Sequence, residues 1–184
     1  MKVIVTGFEA FDRMQSNPSA DLLALLPDEI RGDYLVTRVL PVDTDRIEQV
    51  LRDLPQENVR AVLHLGLATD RPVISIERIA LNLRDFSRPD NGGNKPVDAL
   101  VRPGGPLALR ARWPVKSTHA AWAENGIEAA ISTSAGTFLC NQALYLSLAD
   151  RPDWVSVGFV HVTAHQPLEV QARAVVLAIE GLHP

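Results

Sequence analysis

Hydrophobic positions along the chain switch repeatedly between two periods. Val- and Ile-rich runs lie at 2–7 (KVIVTG), 34–40 (YLVTRVL), 59–66 (VRAVLHLG), 127–132 and 154–162 (WVSVGFVHV), and each predicts a strand. Helical spacing fills the gaps. The first helix is predicted at 20–26, with Ser19 as its cap and Pro27 as its stop. The second spans 45–54, capped by Asp43 or Thr44, with Ile47, Val50, Leu51 and Leu54 on one face. Further helices are predicted at 116–124, ended by Asn125-Gly126, at 139–148, and at 167–182, where Leu168, Ala172, Val175, Val176 and Ile179 share a face. The 73–83 run alternates and reads as extended. Residues 84–105, rich in Pro, Gly, Asn and Asp, form the longest irregular stretch, which is expected to be either functional or mobile.

Strands alternating with helices place the chain in the α/β class, as a three-layer α/β/α sandwich on a mostly parallel, mixed sheet. There is no internal repeat and no linker, so 1–184 reads as one domain. Ligands of such sheets sit at the carboxyl ends of the strands. Interest therefore falls on the loops at 6–19, 66–72 and 133–140 and on the residues after Val160.

Composition narrows the partners. A net charge of −4 with no Lys/Arg cluster predicts no nucleic-acid partner and no polybasic membrane surface. No apolar run approaches the roughly eighteen residues of a membrane span. The N-terminal apolar run soon meets Glu9 and Asp12 and lacks a signal-peptide cleavage site. One cysteine without an export signal points to the reducing cytoplasm.

That cysteine, Cys140 in STSAGTFLCNQALY, sits where a Gly-containing loop becomes a helix. Unpaired N–H groups and the helix dipole favour a thiolate there, and Ala135-Gly136 forms a turn whose amides can face an oxyanion. The competing reading is a small packed hydrophobe. A nucleophilic thiol needs a base. His161 lies at the carboxyl end of its strand, and His165 follows in a turn. His64 reads as core, His119 as part of a surface helix and His183 as terminal. The His161/His165 spacing lacks the helix and the intervening Glu of a zinc motif, so no metal is expected. Glu77 interrupts an apolar run; it can face solvent, pair with Arg71 or Arg78, or orient an imidazole. Phosphate-loop, dinucleotide and serine-elbow motifs are absent.

Taken together, VTGFEAF at 5–11, NPS at 17–19, ERIALNL at 77–83, PDNGGNKPV at 89–97, SAGTFLCN at 134–141 and GFVHV at 158–162 resemble the type I pyroglutamyl peptidases, in that family's order and over almost the whole chain. The resemblance implies an α/β/α fold and a thiol peptidase that removes N-terminal pyroglutamate through a thioester, with no cofactor. Cys140 would be the nucleophile, His161 the base and Glu77 its orienter. Phe8 and Phe11 would flank the lactam ring, Asn17 would contact or brace this substrate-binding site, and the backbone of Leu139 would meet the lactam. N-terminally pyroglutamylated peptides are the implied partners. A homo-oligomer is compatible with the resemblance, and no subunit count follows from it.

Three positions depart from the family pattern. Asp12-Arg13 follows Phe11 where the family has glycine. Ser87-Arg88 places the arginine one residue late. Leu67 stands where some relatives have glutamine.

Overall fold

The computed structural model describes residues 1–183. Its centre is a seven-stranded sheet. In chain order the strands are β1 (Lys2–Phe8), β2 (Glu29–Ile30), β3 (Asp33–Leu40), β4 (Val59–Leu67), β5 (Ile74–Glu77), β8 (Ala129–Ser132) and β9 (Ser156–Val162), and in space they run β2-β3-β1-β4-β9-β5-β8. Strands β3, β1, β4 and β9 are mutually parallel, β5 runs against β9, and β8 is parallel to β5. The sheet is therefore mixed and mostly parallel.

Helices α2 (Thr44–Asp53) and α4 (Leu139–Asp150) cover one face, where Ile4, Phe8, Val62, Phe159 and Leu144 form one core. On the other face α3 (Val115–Glu124), α5 (Leu168–Glu180) and a 3₁₀ turn at Leu22–Leu25 pack over Val5, Leu63, Val160 and Ile76. This is the three-layer sandwich that the alternating periods predict.

Local chemistry explains the element boundaries. Asp43 caps α2, its carboxylate accepting from the amides of Asp45 (2.9 Å) and Arg46 (3.1 Å), a cap worth about 1 kcal/mol. The first helix differs from expectation. Asn17, not Ser19, is the cap, its Oδ1 accepting from the Ser19 amide at 3.1 Å, with Pro18 opening the helix. The helix α1 (Pro18–Asp21) makes one turn and tightens into the 3₁₀ turn.

The extended 73–83 run is also divided. Past Glu77 the chain leaves the large sheet, and β6 (Ile79–Leu81) pairs with β7 (Ala108–Arg110) in a separate ribbon. The irregular 84–105 stretch is pinned rather than loose. Arg84 and Ala99 exchange backbone bonds of 2.7 and 3.0 Å, Asn91 N–H donates to Val42 O at 2.8 Å, and Asp90 accepts from the Thr44 amide at 2.6 Å.

His64 is core, as its apolar strand predicts. It is fully buried between the hydroxyls of Thr6 (2.7 Å) and Ser147 (2.8 Å). Burial pushes its pKa from the ordinary 6.5 down to about 3. The unfolded chain thus binds one more proton than the folded chain between these values. The stability is complete above pH 6.5 and is lost as pH falls toward 3, at about 1.4 kcal/mol per pH unit. Urea unfolding of wild type and His64→Gln between pH 6 and 4 should give slopes that differ by about one proton; equal slopes would mean that folded His64 accepts the proton freely.

Candidate active site

The site lies on the α2/α4 face of the sheet, at the junction of β4, β9 and β5. His161, one residue from the end of β9, is buried, and its Nδ1 lies 2.7 Å from Oε1 of fully buried Glu77. A carboxylate only accepts, so Nδ1 carries the proton and Nε2 is the free basic nitrogen. The contact is a cross-strand diagonal. In the antiparallel β5/β9 pair Ser75 faces His161, which puts Glu77 two residues along on the same face.

Cys140 approaches from α4. Its Sγ rests over Gly66, the register partner of His161. A Cβ built at Gly66 would meet Sγ at 2.9 Å and the Phe159 ring at 2.7 Å, so only glycine admits the thiol here. Sulfur and imidazole share no hydrogen bond among the described residues, so a proton could pass between them only if the pair drew closer.

The start of α4 is held firmly. Its first intrahelical bond runs from Gln142 N–H to Phe138 O (3.1 Å), which leaves the Leu139, Cys140 and Asn141 amides free of the helix ladder. Asn141, fully buried, accepts from Leu81 N–H (2.7 Å) and donates to Leu81 O (2.8 Å) and Leu83 O (3.0 Å). This side chain ties the helix that carries Cys140 to β6, a role that the CN pair of the sequence does not signal by itself. The Gly136 amide is taken by Ser134 Oγ at 3.2 Å, so within that turn it serves local structure.

The protonation states differ from the helix-terminus expectation. Burial first and the Glu77 charge second push the Cys140 thiol up to about 12, against the smaller opposing pull of Arg71 and its own amide. Burial lowers His161, opposed by Glu77, while hydrogen bonds and the imidazole hold Glu77 below the usual carboxylate range despite its burial. The resting pair is a neutral thiol beside a neutral imidazole. Packing of the sulfur against the sheet desolvates it and favours the neutral thiol.

Beside the sulfur is a small cavity of about 70 Å³, lined by Phe8, Phe11, Asn17, Val42, Leu67, Phe138, Leu139 and Cys140. The structure thus gathers Phe8, Phe11, Asn17 and Leu139 around Cys140, together with Val42, Leu67 and Phe138. Phe138 is wedged between Phe86 (4.4 Å between centroids) and Phe11 (5.2 Å). Asn17 is fixed by its capping bond and by donation to Glu9 O at 3.1 Å.

Phe11, Asn17, Leu67 and Phe138 also border a wider groove of about 570 Å³, continued by Asp12, Arg13, Met14, Thr69, Ser87 and Arg88. Two of the sequence departures meet across it. Arg88 Nη1 lies 2.6 Å from Asp12 Oδ2, and the guanidinium sits 5.9 Å from the Phe11 ring centre. Asp12 and Arg13 both have left-handed backbone, at φ 57° and 54°, a conformation in which glycine would be unstrained.

The other histidines lie elsewhere. His119 contacts Ala129 O from α3, and His165 is exposed in the turn after β9. Among the described residues no group of three or more His, Cys, Asp or Glu could hold a metal ion.

An α/β/α sheet that gathers a thiol, an imidazole and a carboxylate beside an apolar cavity has the build of a hydrolase. Comparison with known proteins carries this further. A model of the family described as pyroglutamyl peptidase matches residues 1–174. The pyrrolidone-carboxylate peptidase of Thermococcus kodakarensis is 40% identical over 166 residues, covering 88% of this chain and 81% of the relative. That of Pyrococcus furiosus is 42% identical over 167 residues, covering 88% and 80%. The crystal structure of pyrrolidone carboxyl peptidase from Thermus thermophilus superposes with a TM-score of 0.94 at 52% identity, covering 97% of this chain and 98% of that one. The chain belongs to the pyroglutamyl peptidase family.

Proposed function

We propose that, in the pyroglutamyl peptidase activity of this chain, Cys140 is the nucleophile, His161 the proton carrier and Glu77 its orienter, within one catalytic domain spanning 1–184. The observation that supports these roles best is the small cavity, whose wall includes Cys140 and whose other sides are mainly apolar. A pyroglutamyl group is a neutral five-membered lactam. It fits a site of aromatic and aliphatic walls with few polar contacts. Phe8 and Phe11 hold the ring, the backbone of Leu139 meets the lactam, and Asn17 braces the Phe11 loop.

With the ring seated, the carbonyl joining it to the next residue lies at the sulfur. Nε2 of His161 takes the thiol proton as Sγ attacks, so thiolate forms only when substrate is in place. The Cys140 amide faces the developing oxyanion. Collapse breaks the C–N bond, His161 returns the proton to the leaving amine, and a thioester remains. Water, deprotonated by His161, hydrolyses it and restores the thiol. Glu77 keeps Nδ1 protonated and stabilises the transient imidazolium.

The leaving peptide runs out along the groove. Its walls carry two arginines against one aspartate, so peptides with an acidic residue after pyroglutamate should be favoured. The substrates are N-terminally pyroglutamylated peptides. The unpaired thiol suits the reducing cytoplasm, and no described helix is long and apolar enough to cross a membrane.

A matched series tests the substrate assignment. Pyroglutamyl and prolyl amides with one fluorophore should differ by at least about 10²-fold in kcat/KM, because prolyl brings a charged amine into an apolar cavity. Pyroglutamyl-Glu should outpace pyroglutamyl-Lys, with the gap narrowing as salt rises. Equal rates for the ring pair would refute the cavity assignment, and equal rates for Glu and Lys would refute the charge reading.

A further inference from the structure

Arg71, in the loop between β4 and β5, contacts parts of the site that come from distant stretches of chain. Its Nη1 donates to Glu77 Oε1 (2.6 Å) and Ser75 Oγ (2.5 Å), and its Nη2 donates to Ser134 O (3.0 Å) in the loop that leads into Cys140. Its carbonyl accepts from Thr163 Oγ1 (2.5 Å), two residues beyond His161. The side chain is one-quarter exposed, whereas Glu77 is fully buried. The pairing with Arg71 and the orientation of an imidazole, alternatives for Glu77 in the sequence, therefore occur together on one oxygen. Oε2 has no donor among the described residues.

We propose that Arg71 is a positioning residue, which holds Glu77 against His161 and couples that carboxylate to the loop delivering Cys140. This rests on the proposed roles of the three residues. A planar fork suits the task, since one guanidinium reaches a carboxylate and a carbonyl at once, whereas an ammonium is a single point charge. The same cation acts electrostatically. It helps hold Glu77 ionised and opposes protonation of His161 and ionisation-resistance of Cys140. The groups around His161 are Glu77 from β5, Arg71 and Asp70 from the loop after β4, and Cys140 from α4; His64, further along β4, stays neutral.

The sign follows from these charges. Activity on the acid side requires neutral His161. Removing the Arg71 cation makes the imidazole easier to protonate and moves the acid limb of kcat/KM to higher pH.

Two variants separate charge from geometry. In Arg71→Gln the acid limb should rise by about one unit or less, and kcat should fall on the order of 10²-fold as Glu77 and the 133–138 loop shift. In Arg71→Lys the limb should stay near wild type while kcat remains depressed, because the link to Ser134 is lost. Titration of the His161 imidazole by NMR reads the same shift without turnover, so it stands even if the assigned nucleophile is wrong. If Arg71→Gln folds poorly, Arg71→Lys still reports the geometric part. An unmoved limb and unmoved imidazole in Arg71→Gln, with kcat within about twofold of wild type, would overturn the proposal; if Cys140→Ala is inactive in the same assay, the nucleophile assignment survives that result.

Discussion

Hydrolysis of a fluorogenic pyroglutamyl amide falls by on the order of 10⁴-fold or more in Cys140→Ala, while circular dichroism and the unfolding transition stay close to wild type. The loss follows because the acyl group then has no acceptor at the cavity wall. The fold is spared because the sulfur is a terminal atom resting over Gly66, and its removal leaves in place Asn141 with its two bonds to Leu81 of β6 and its one to Leu83. Iodoacetamide should alkylate the resting enzyme slowly at neutral pH, since the thiol is pushed up to about 12, and faster as pH rises. Substantial turnover by the folded variant would remove Cys140 from the mechanism. Rapid alkylation at neutral pH would instead show a resting thiolate, and proton transfer would then precede substrate binding.

His161→Ala should be nearly as damaging, with kcat down by on the order of 10³-fold or more, whereas His165→Ala should keep activity close to wild type. The contrast comes from position. His161 is buried with Nδ1 held by Glu77, while His165 lies exposed in the turn beyond the strand. Glu77→Gln should cost less than His161→Ala, because an amide can still orient the ring but cannot stabilise an imidazolium. The reverse order for the two histidines would reassign the base.

Some of this organisation is legible in the chain because it is local. The β-branched runs bounded by Gly and Pro become β1, β3, β4 and β9, and the Asp43 cap with Ile47 and Leu51 on one face defines α2. Cys140 stands out as a lone thiol at a loop-to-helix junction. The misses arise where tertiary pairing overrides local pattern. Alternation across 73–83 suggests one strand, but the Arg78 amide donates to Ser132 O at 2.9 Å as the chain turns away into the small ribbon. Ser19 has the chemistry of a cap, yet its hydroxyl is engaged by the Phe8 amide at 2.9 Å, and Asn17 takes the cap. The depth of Glu77 depends on β5 running against β9, which no single segment encodes. The helix-terminus argument for a thiolate meets an opposing effect that is equally non-local, because packing against the sheet desolvates the sulfur and pushes the thiol up.

The strand order has a consequence for synthesis. β9, residues 156–162, is the last strand made, yet it lies between β4 and β5 in the middle of the sheet. Until it emerges from the ribosome, β4 and β5 each present an unpaired, largely apolar edge, the kind of surface through which unfinished chains aggregate. His161 arrives on that same strand. Closing the sheet and assembling the proposed catalytic residues are therefore one late, long-range event, so recovery of activity should track completion of the core. Chains truncated before β9 should be both inactive and prone to associate.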